Sequence, residues 1–221
     1  MPEAVLHQAS SLTQWSGMMS PQVVLLASHG DTRSETALQD QLVKAWRHLG
    51  YASVCVDATR VVPPLQQSRM QVLEQLTQDH EPHDVMLVYV PISWLVEDLA
   101  DFAAAPLLAV GTNSTSVLTA YQALKQLTLK GQHHPTLVPV LEALDASALH
   151  TAEKLSQSIS ECAQQFLGQR PHMMPPIGLS GGDDITRTPS EGIWVGRSLG
   201  RASPVGPWAC HRTRPEHGGT R

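Results

Sequence analysis

The chain has few cysteines, few aromatics and no long apolar run. Its three cysteines, Cys55, Cys162 and Cys210, lie far apart with no metal-type spacing and no even framework. That excludes a disulfide scaffold or zinc ribbon, and the reducing cytoplasm is the expected compartment. Cys55 falls in an apolar strand and Cys162 on a helical face, so both are expected as buried thiols. The longest apolar runs, Val85–Val90 and Pro106–Gly111, are strand-sized and far short of the roughly 18 residues of a membrane span. No basic start followed by an apolar core marks a secretory signal, so none is expected. Positive charge is also scarce where nucleic acid would need it. Residues 1–179 carry nine Lys/Arg against sixteen Asp/Glu, whereas 180–221 carry six Arg against four acids. The acidic body argues against direct nucleic-acid binding.

With 221 residues the chain can bury a sizeable core. Residues 1–20 contain a short helical stretch near 3–15, with Val5, Ala9 and Leu12 on one face. Val23–Ala27 is a continuous apolar run of the kind that parallel strands buried on both faces show. A polar turn, Ser28–Ser34, then leads into a helix over Thr36–Leu49, whose Leu38, Leu42, Ala45, Trp46 and Leu49 recur at helical spacing before Gly50. Strands are expected at 52–57, 85–90, 106–110 and 136–141. Helices are expected at 64–78, 94–104, 114–127 and 146–167. This alternation predicts an α/β fold, three-layered and doubly wound around a mostly parallel sheet. The domain should span 21–179, between an N-terminal helical interaction segment (1–20) and a disordered C-terminal tail (180–221).

The first strand–turn–helix of such a sheet is the usual phosphate site. A working loop needs glycines that free backbone N–H groups, and a lysine for the β- and γ-phosphates. Ala27–Thr36 offers Gly30 and the Thr36 hydroxyl, but puts Asp31 and Glu35 where glycine and lysine belong. Two desolvated carboxylates would repel a triphosphate by several kcal/mol.

Several segments, in order, carry a family resemblance. They are His7-Gln8-Ala9-Ser10-Ser11-Leu12, Gln22–Thr36, Leu49-Gly50 with Asp57-Ala58, Asp84–Pro91, and Thr115-Ser116-Val117 followed by Ala120-Tyr121 and Leu124-Lys125. Over roughly residues 5–178 the chain resembles the MinD/ParA deviant-Walker ATPases, which have a P-loop NTPase fold. Within them it resembles the flagellar-number regulators of the FlhG (FleN) type. The resemblance implies that the signature lysine is replaced by Gly30, the second Walker lysine by Glu35, the Walker B aspartate by Tyr89, and the adenine-reading asparagine by Pro139. Gly30, Arg33, Thr36 and Asp57 remain as a vestigial nucleotide-binding set. ATP and Mg²⁺ are expected only if the altered loop still binds, since lysine and acid together supply charge stabilisation and metal positioning in phosphoryl transfer. A pseudo-ATPase is the expectation. Gln8, Ala9, Leu12 and Trp15 are implied as partner-binding. The implied partners are an FlhF-like GTPase of the signal-recognition type or a flagellar transcriptional activator. A homodimer, peripheral membrane contact at most, and a polar or inner-membrane position go with the family. An active, ATP-dependently dimerising ATPase, with Arg33 or a partner's base in place of the lysines, is the alternative. So is a relative acting in cellulose synthesis or partitioning.

Other readings weigh less. His29 and Asp31, with His48 or His133-His134, match no standard metal spacing and read as solvated turn residues. Ser28-His29-Gly30 is similar to the histidine turn of small tetrapyrrole chelatases, but no second histidine follows a later strand. Ser28 lacks the Gly-x-Ser-x-Gly elbow of a hydrolase. Thr115-Ser116 are expected to cap the following helix. Tyr89 is expected to pack with its hydroxyl near the surface, Asp57 to make structural hydrogen bonds, and Trp46 to be buried. Trp94 and Trp15 are candidates for an interaction surface.

Overall fold

The structure, a computed structural model, describes residues 22–61, 75, 84–97, 99 and 105–179. Strand β1 (Gln22–Ser28) leads into helix α1 (Thr32–His48), then β2 (Ser53–Asp57). After these come β3 (Val85–Pro91), α2 (Ile92–Glu97), β4 (Leu107–Gly111), α3 (Ser114–Leu129), β5 (Thr136–Leu141) and α4 (Ala146–Leu167). Two short strands, β6 (His172–Met173) and β7 (Ile177–Gly178), close the described chain. The expected helix at 64–78 and the 1–20 and 180–221 segments fall outside the described residues, apart from the helical Gln75.

The strands form one seven-stranded sheet in the order β2-β3-β1-β4-β5-β6, with β7 also on β5, and every pairing is parallel. Side chains alternate across the pleat, so β1 feeds two cores. Leu25 and Ala27 join Val88, Val90, Leu108 and Val110 beneath α2, α3 and α4. Val24 and Leu26 join Leu87, Leu107, Ala109 and Val138 beneath Leu38, Leu42 and Trp46 of α1. Helices therefore cover both faces, and the fold is the expected doubly wound α/β arrangement. Fully burying one such Leu or Trp stabilises the fold by about 1.5–3 kcal/mol.

Three details depart from the sequence reading. Helix α1 starts at Thr32, so the last three residues of the expected turn Ser28–Ser34 are helix. The reason is Asp31, whose Oδ1 accepts the Ser34 N–H at 3.3 Å and caps the helix four residues earlier than Thr36. Trp94, a surface candidate, is buried in the core of α2, while Trp46 is buried as expected. Cys162 is exposed on α4, and Cys55 is only partly covered.

β6 and β7 were not legible in advance. Each pairs with one end of β5, at Thr136–Leu137 and Val140–Leu141, so they act as one interrupted strand. Pro175 and Pro176 lie in the interruption, where they have no N–H to give a ladder. No helix among the described residues is long and apolar enough to cross a membrane.

Candidate functional site

Because all strands run the same way, their carboxyl ends share one edge of the sheet. The chain leaves β1 outward to β2 but leaves β4 in the other direction to β5. The crevice between β1 and β4 is therefore the topological switch point, where ligands bind in folds of this kind. Its walls are the loop His29–Asp31, the first turn of α1, the end of β3 and the β4–α3 turn.

Glu35 occupies the centre of this crevice. It shares the buried stripe of α1 with Leu38 and Leu42, three and seven residues on, and its residue exposure is 1%. Its Oε1 accepts the backbone N–H of His29 at 2.7 Å and of Gly30 at 3.0 Å. Its Oε2 accepts the Tyr89 phenol. Tyr89 reaches it because β3 pairs with β1 in a register that sets Tyr89 beside Leu26, on the α1 face. The Tyr89 and Ser28 oxygens lie 3.0 Å apart. With the phenol's one proton on Glu35, the seryl hydroxyl is the donor in that pair. Burial, and then the bond to Glu35, push the Tyr89 phenol up to about 12. The expectation of a packing residue with a surface hydroxyl is thereby corrected.

His29 is not a solvated turn residue. Its side chain is 1% exposed, its Nε2 sits 2.8 Å from the Ala109 carbonyl, and the same nitrogen is 3.6 Å from Glu35 Oε1. A carbonyl only accepts, so Nε2 carries the proton in that bond. Nδ1 has no partner among the described residues. Among the described residues the other such atom is Thr128 Oγ1, and Thr128 is one of the residues lining a cavity of about 160 Å³ at the amino end of the sheet. That cavity has room for water, so the hydroxyl there has a ready explanation.

A second carboxylate is tied up beside the first. Asp31 Oδ2 accepts the Ser116 hydroxyl, whose oxygen in turn accepts the Gly111 N–H at 2.6 Å. Burial raises the Asp31 carboxyl, but hydrogen bonds from Ser116 and Ser34 outweigh it and hold the group below its ordinary value. Ser116 is thus a buried bridge between β4 and α1, not the expected cap of α3. That cap is Asn113, whose side chain accepts the Ser116 N–H at 2.8 Å.

Of the vestigial nucleotide-binding set Gly30, Arg33, Thr36 and Asp57, Gly30 alone joins this network. It does so with φ of 102°, a left-handed conformation that favours glycine. Thr36 is exposed one turn into α1. Arg33 points outward and pairs with Glu142 at 3.0 Å, with both side chains about 70% exposed. Asp57 ends β2, where Oδ1 accepts the Thr59 N–H at 2.9 Å and its hydroxyl at 2.6 Å, and Arg60 lies 3.5 Å away. Gln8, Ala9, Leu12 and Trp15 lie outside the described residues. No group of three or more metal-ligating side chains occurs among the described residues; His133 donates from Nε2 to the Leu95 carbonyl at 2.9 Å in its own core site. Ser34, Tyr89 and Ser116 are the network members that sequence reasoning missed in this role.

As to known proteins, no family model and no curated protein matches the chain. Among solved structures it is similar to the crystal structure of PAB0955, described as a GTPase in apo form, from Pyrococcus abyssi. The superposition has a TM-score of 0.39 at 15% identity and covers 83% of this chain and 97% of that one. A likeness that loose says nothing of this chain's activity.

Proposed function

We propose that this chain is a regulator of the MinD/ParA type that acts through protein contacts in flagellar biogenesis, without turning over ATP. The observation that supports it most is Glu35 itself. In a nucleotide-binding loop the backbone N–H groups after β1 would face phosphate; here two of them are satisfied by the chain's own carboxylate. The loop between β1 and α1 is also only His29–Asp31, with no lysine in it. A triphosphate would have to displace a buried acid and then lie against it. Arg33, which the alternative reading puts in place of the lysines, pairs instead with Glu142. The family resemblance of the N-terminal Gln8-Ala9 and Leu12 assigns partner contact to residues 1–20, with an FlhF-like GTPase as the partner.

Calorimetry of the full chain with Mg²⁺ and ATP is the test. No saturable heat is expected at millimolar nucleotide. Binding tighter than about 100 μM, roughly −5.5 kcal/mol, would overturn the non-catalytic reading. A peptide of residues 1–20 that neither binds nor stimulates the cognate GTPase would overturn the partner assignment.

A further inference from the structure

At the edge of the sheet opposite the switch point, the carboxyl ends of α3 and α4 and the starts of β5 and β6 surround a cavity of about 160 Å³. Its floor is apolar. Leu124 of α3 and Ala163 of α4 are 2% and 0% exposed, and Pro135, just before β5, is buried. A closed apolar cavity of about this volume holds one benzene ring. The lining residues that reach solvent are His134, Arg170 and His172, so this cavity has a mouth, and the mouth is basic. No acid is among the lining residues, although acids outnumber Lys/Arg sixteen to nine over residues 1–179. Arg170 has no carboxylate partner among the described residues. Inside a helix a threonine hydroxyl commonly bonds a carbonyl three or four residues back, as Thr119 does to Ser116 and Thr151 to Ser147. Thr128, a lining residue in the last turn of α3, makes no such bond, and its Oγ1 is buried without a partner among the described residues. An unused hydroxyl there marks a solvated pocket rather than a dry packing void.

We propose that this cavity binds a small carboxylate with a compact apolar body, an aromatic ring or a branched aliphatic chain. The body fills the floor and the carboxylate meets Arg170 at the mouth. The two parts of the pocket select for both halves of such a ligand. The floor offers a charge no partner, and an unpaired carboxylate is costly to desolvate, so the charge stays at the mouth. There the guanidinium presents a fork of N–H donors that matches a carboxylate, and the two histidine rings add further N–H donors. Inorganic phosphate has the charge without the body, and a hydrocarbon has the body without the charge. The carboxyl ends of α3 and α4 lie at the same edge, and their partial negative charge opposes the ligand's, which keeps the affinity modest. The site is separate from Glu35 and its network, and the proposal does not rest on the functional reading above.

The test titrates the full-length chain with benzoate, acetate and benzyl alcohol at constant ionic strength, following backbone and methyl NMR signals. For a ligand this small, benzoate should half-saturate at roughly 1–10 mM. The shifts should concentrate at Leu124, Thr128, Ala163 and His172. Acetate, which lacks the body, should bind at least about fivefold more weakly. Benzyl alcohol, which lacks the charge, should bind about two- to fivefold more weakly. Arg170→Gln changes an exposed side chain with no ion pair among the described residues, so the variant should fold. It should weaken benzoate by about two- to fivefold and leave benzyl alcohol unchanged. Ala163→Leu fills the floor and should abolish binding of both; if that variant does not fold, the Arg170 variant decides alone. No saturable benzoate shift at these residues below about 50 mM overturns the proposal. So does a shift that acetate reproduces at equal concentration, or a benzoate affinity that Arg170→Gln leaves intact. Each result is independent of the Mg²⁺-ATP calorimetry, because the cavity and the switch point lie at opposite edges of the sheet.

Discussion

Replacing Gly111 by alanine should be among the costlier single-methyl changes in this protein. Gly111 ends β4, and a Cβ there would lie 2.7 Å from Ser34 Oγ, 2.9 Å from Ser116 Oγ and 3.1 Å from Asp31 Oδ2. Backbone strain plays no part, because Gly111 is not among the residues with positive φ. The difficulty is that Ser116 Oγ cannot retreat: it is held by the Gly111 N–H at 2.6 Å and by Asp31. Inserting a methyl into a packed site costs about 1–3 kcal/mol. Pulling the hydroxyl from a carboxylate forfeits a further 1.5–3 kcal/mol or so. The two overlap, so about 3 kcal/mol is the working figure. For a chain of this size that lowers Tm by roughly 6–12 °C. Urea unfolding of G111A, S116A and the double variant separates clash from lost bonds. S116A alone should cost about 2 kcal/mol, because it orphans the Gly111 N–H and takes a donor from Asp31. On that background the alanine has no Ser116 hydroxyl to displace but still meets Ser34 Oγ at 2.7 Å, so it should add about 1–2 kcal/mol, less than it costs alone. A G111A cost within about 0.5 kcal/mol of zero, or a double variant that adds to within the same margin, would refute the reasoning.

Two other expectations are simpler to check. Tyr89→Phe should be less stable than the intact chain at neutral pH. Because the folded phenol titrates near 12 against an ordinary 10, its contribution is whole below pH 10 and is lost as pH rises toward 12. Urea midpoints of the two chains should therefore converge over that window, and a constant gap from pH 8 to 11.5 would contradict the bond to Glu35. Maleimide labelling followed by peptide mass mapping should find Cys162 modified well before Cys55. The first is exposed, while burial pushes the Cys55 thiol up and its sulfur accepts from Gln39; equal rates would count against the placement of either residue.

The layered α/β fold was legible because its signals are local. Val23–Ala27 and Leu107–Gly111 are apolar without alternation, which is what a strand covered on both faces requires. Leu38, Leu42 and Trp46 carry the helical period just as plainly. The start of α1 was not legible in the same way. A first helical turn made of Thr32, Arg33 and Ser34 is as polar as a loop, and only the Asp31 cap distinguishes the two. That signal was present: an acid three residues ahead of a seryl N–H is a common helix start. β6 and β7 are two residues each, too short for any period to show.

The site was legible in its residues but not in their directions. Glu35 stands three and seven residues before Leu38 and Leu42, so the same stripe that buries the leucines buries the acid. A carboxylate in a core stripe must find donors inside the protein, since desolvating it unpaired costs several kcal/mol. The reading that faced it toward a bound triphosphate ignored this. Which donors it finds depends on strand order, because Tyr89 is 54 residues away and meets Glu35 only through the pairing of β3 with β1. Ser116, 85 residues from Asp31, meets it only because β4 lies on the other side of β1. Local sequence carries no register between distant strands, so neither contact could be read from it. What those contacts achieve is local: the backbone donors after β1 are satisfied from within, and the switch point stays a packed polar layer between the strands and α1.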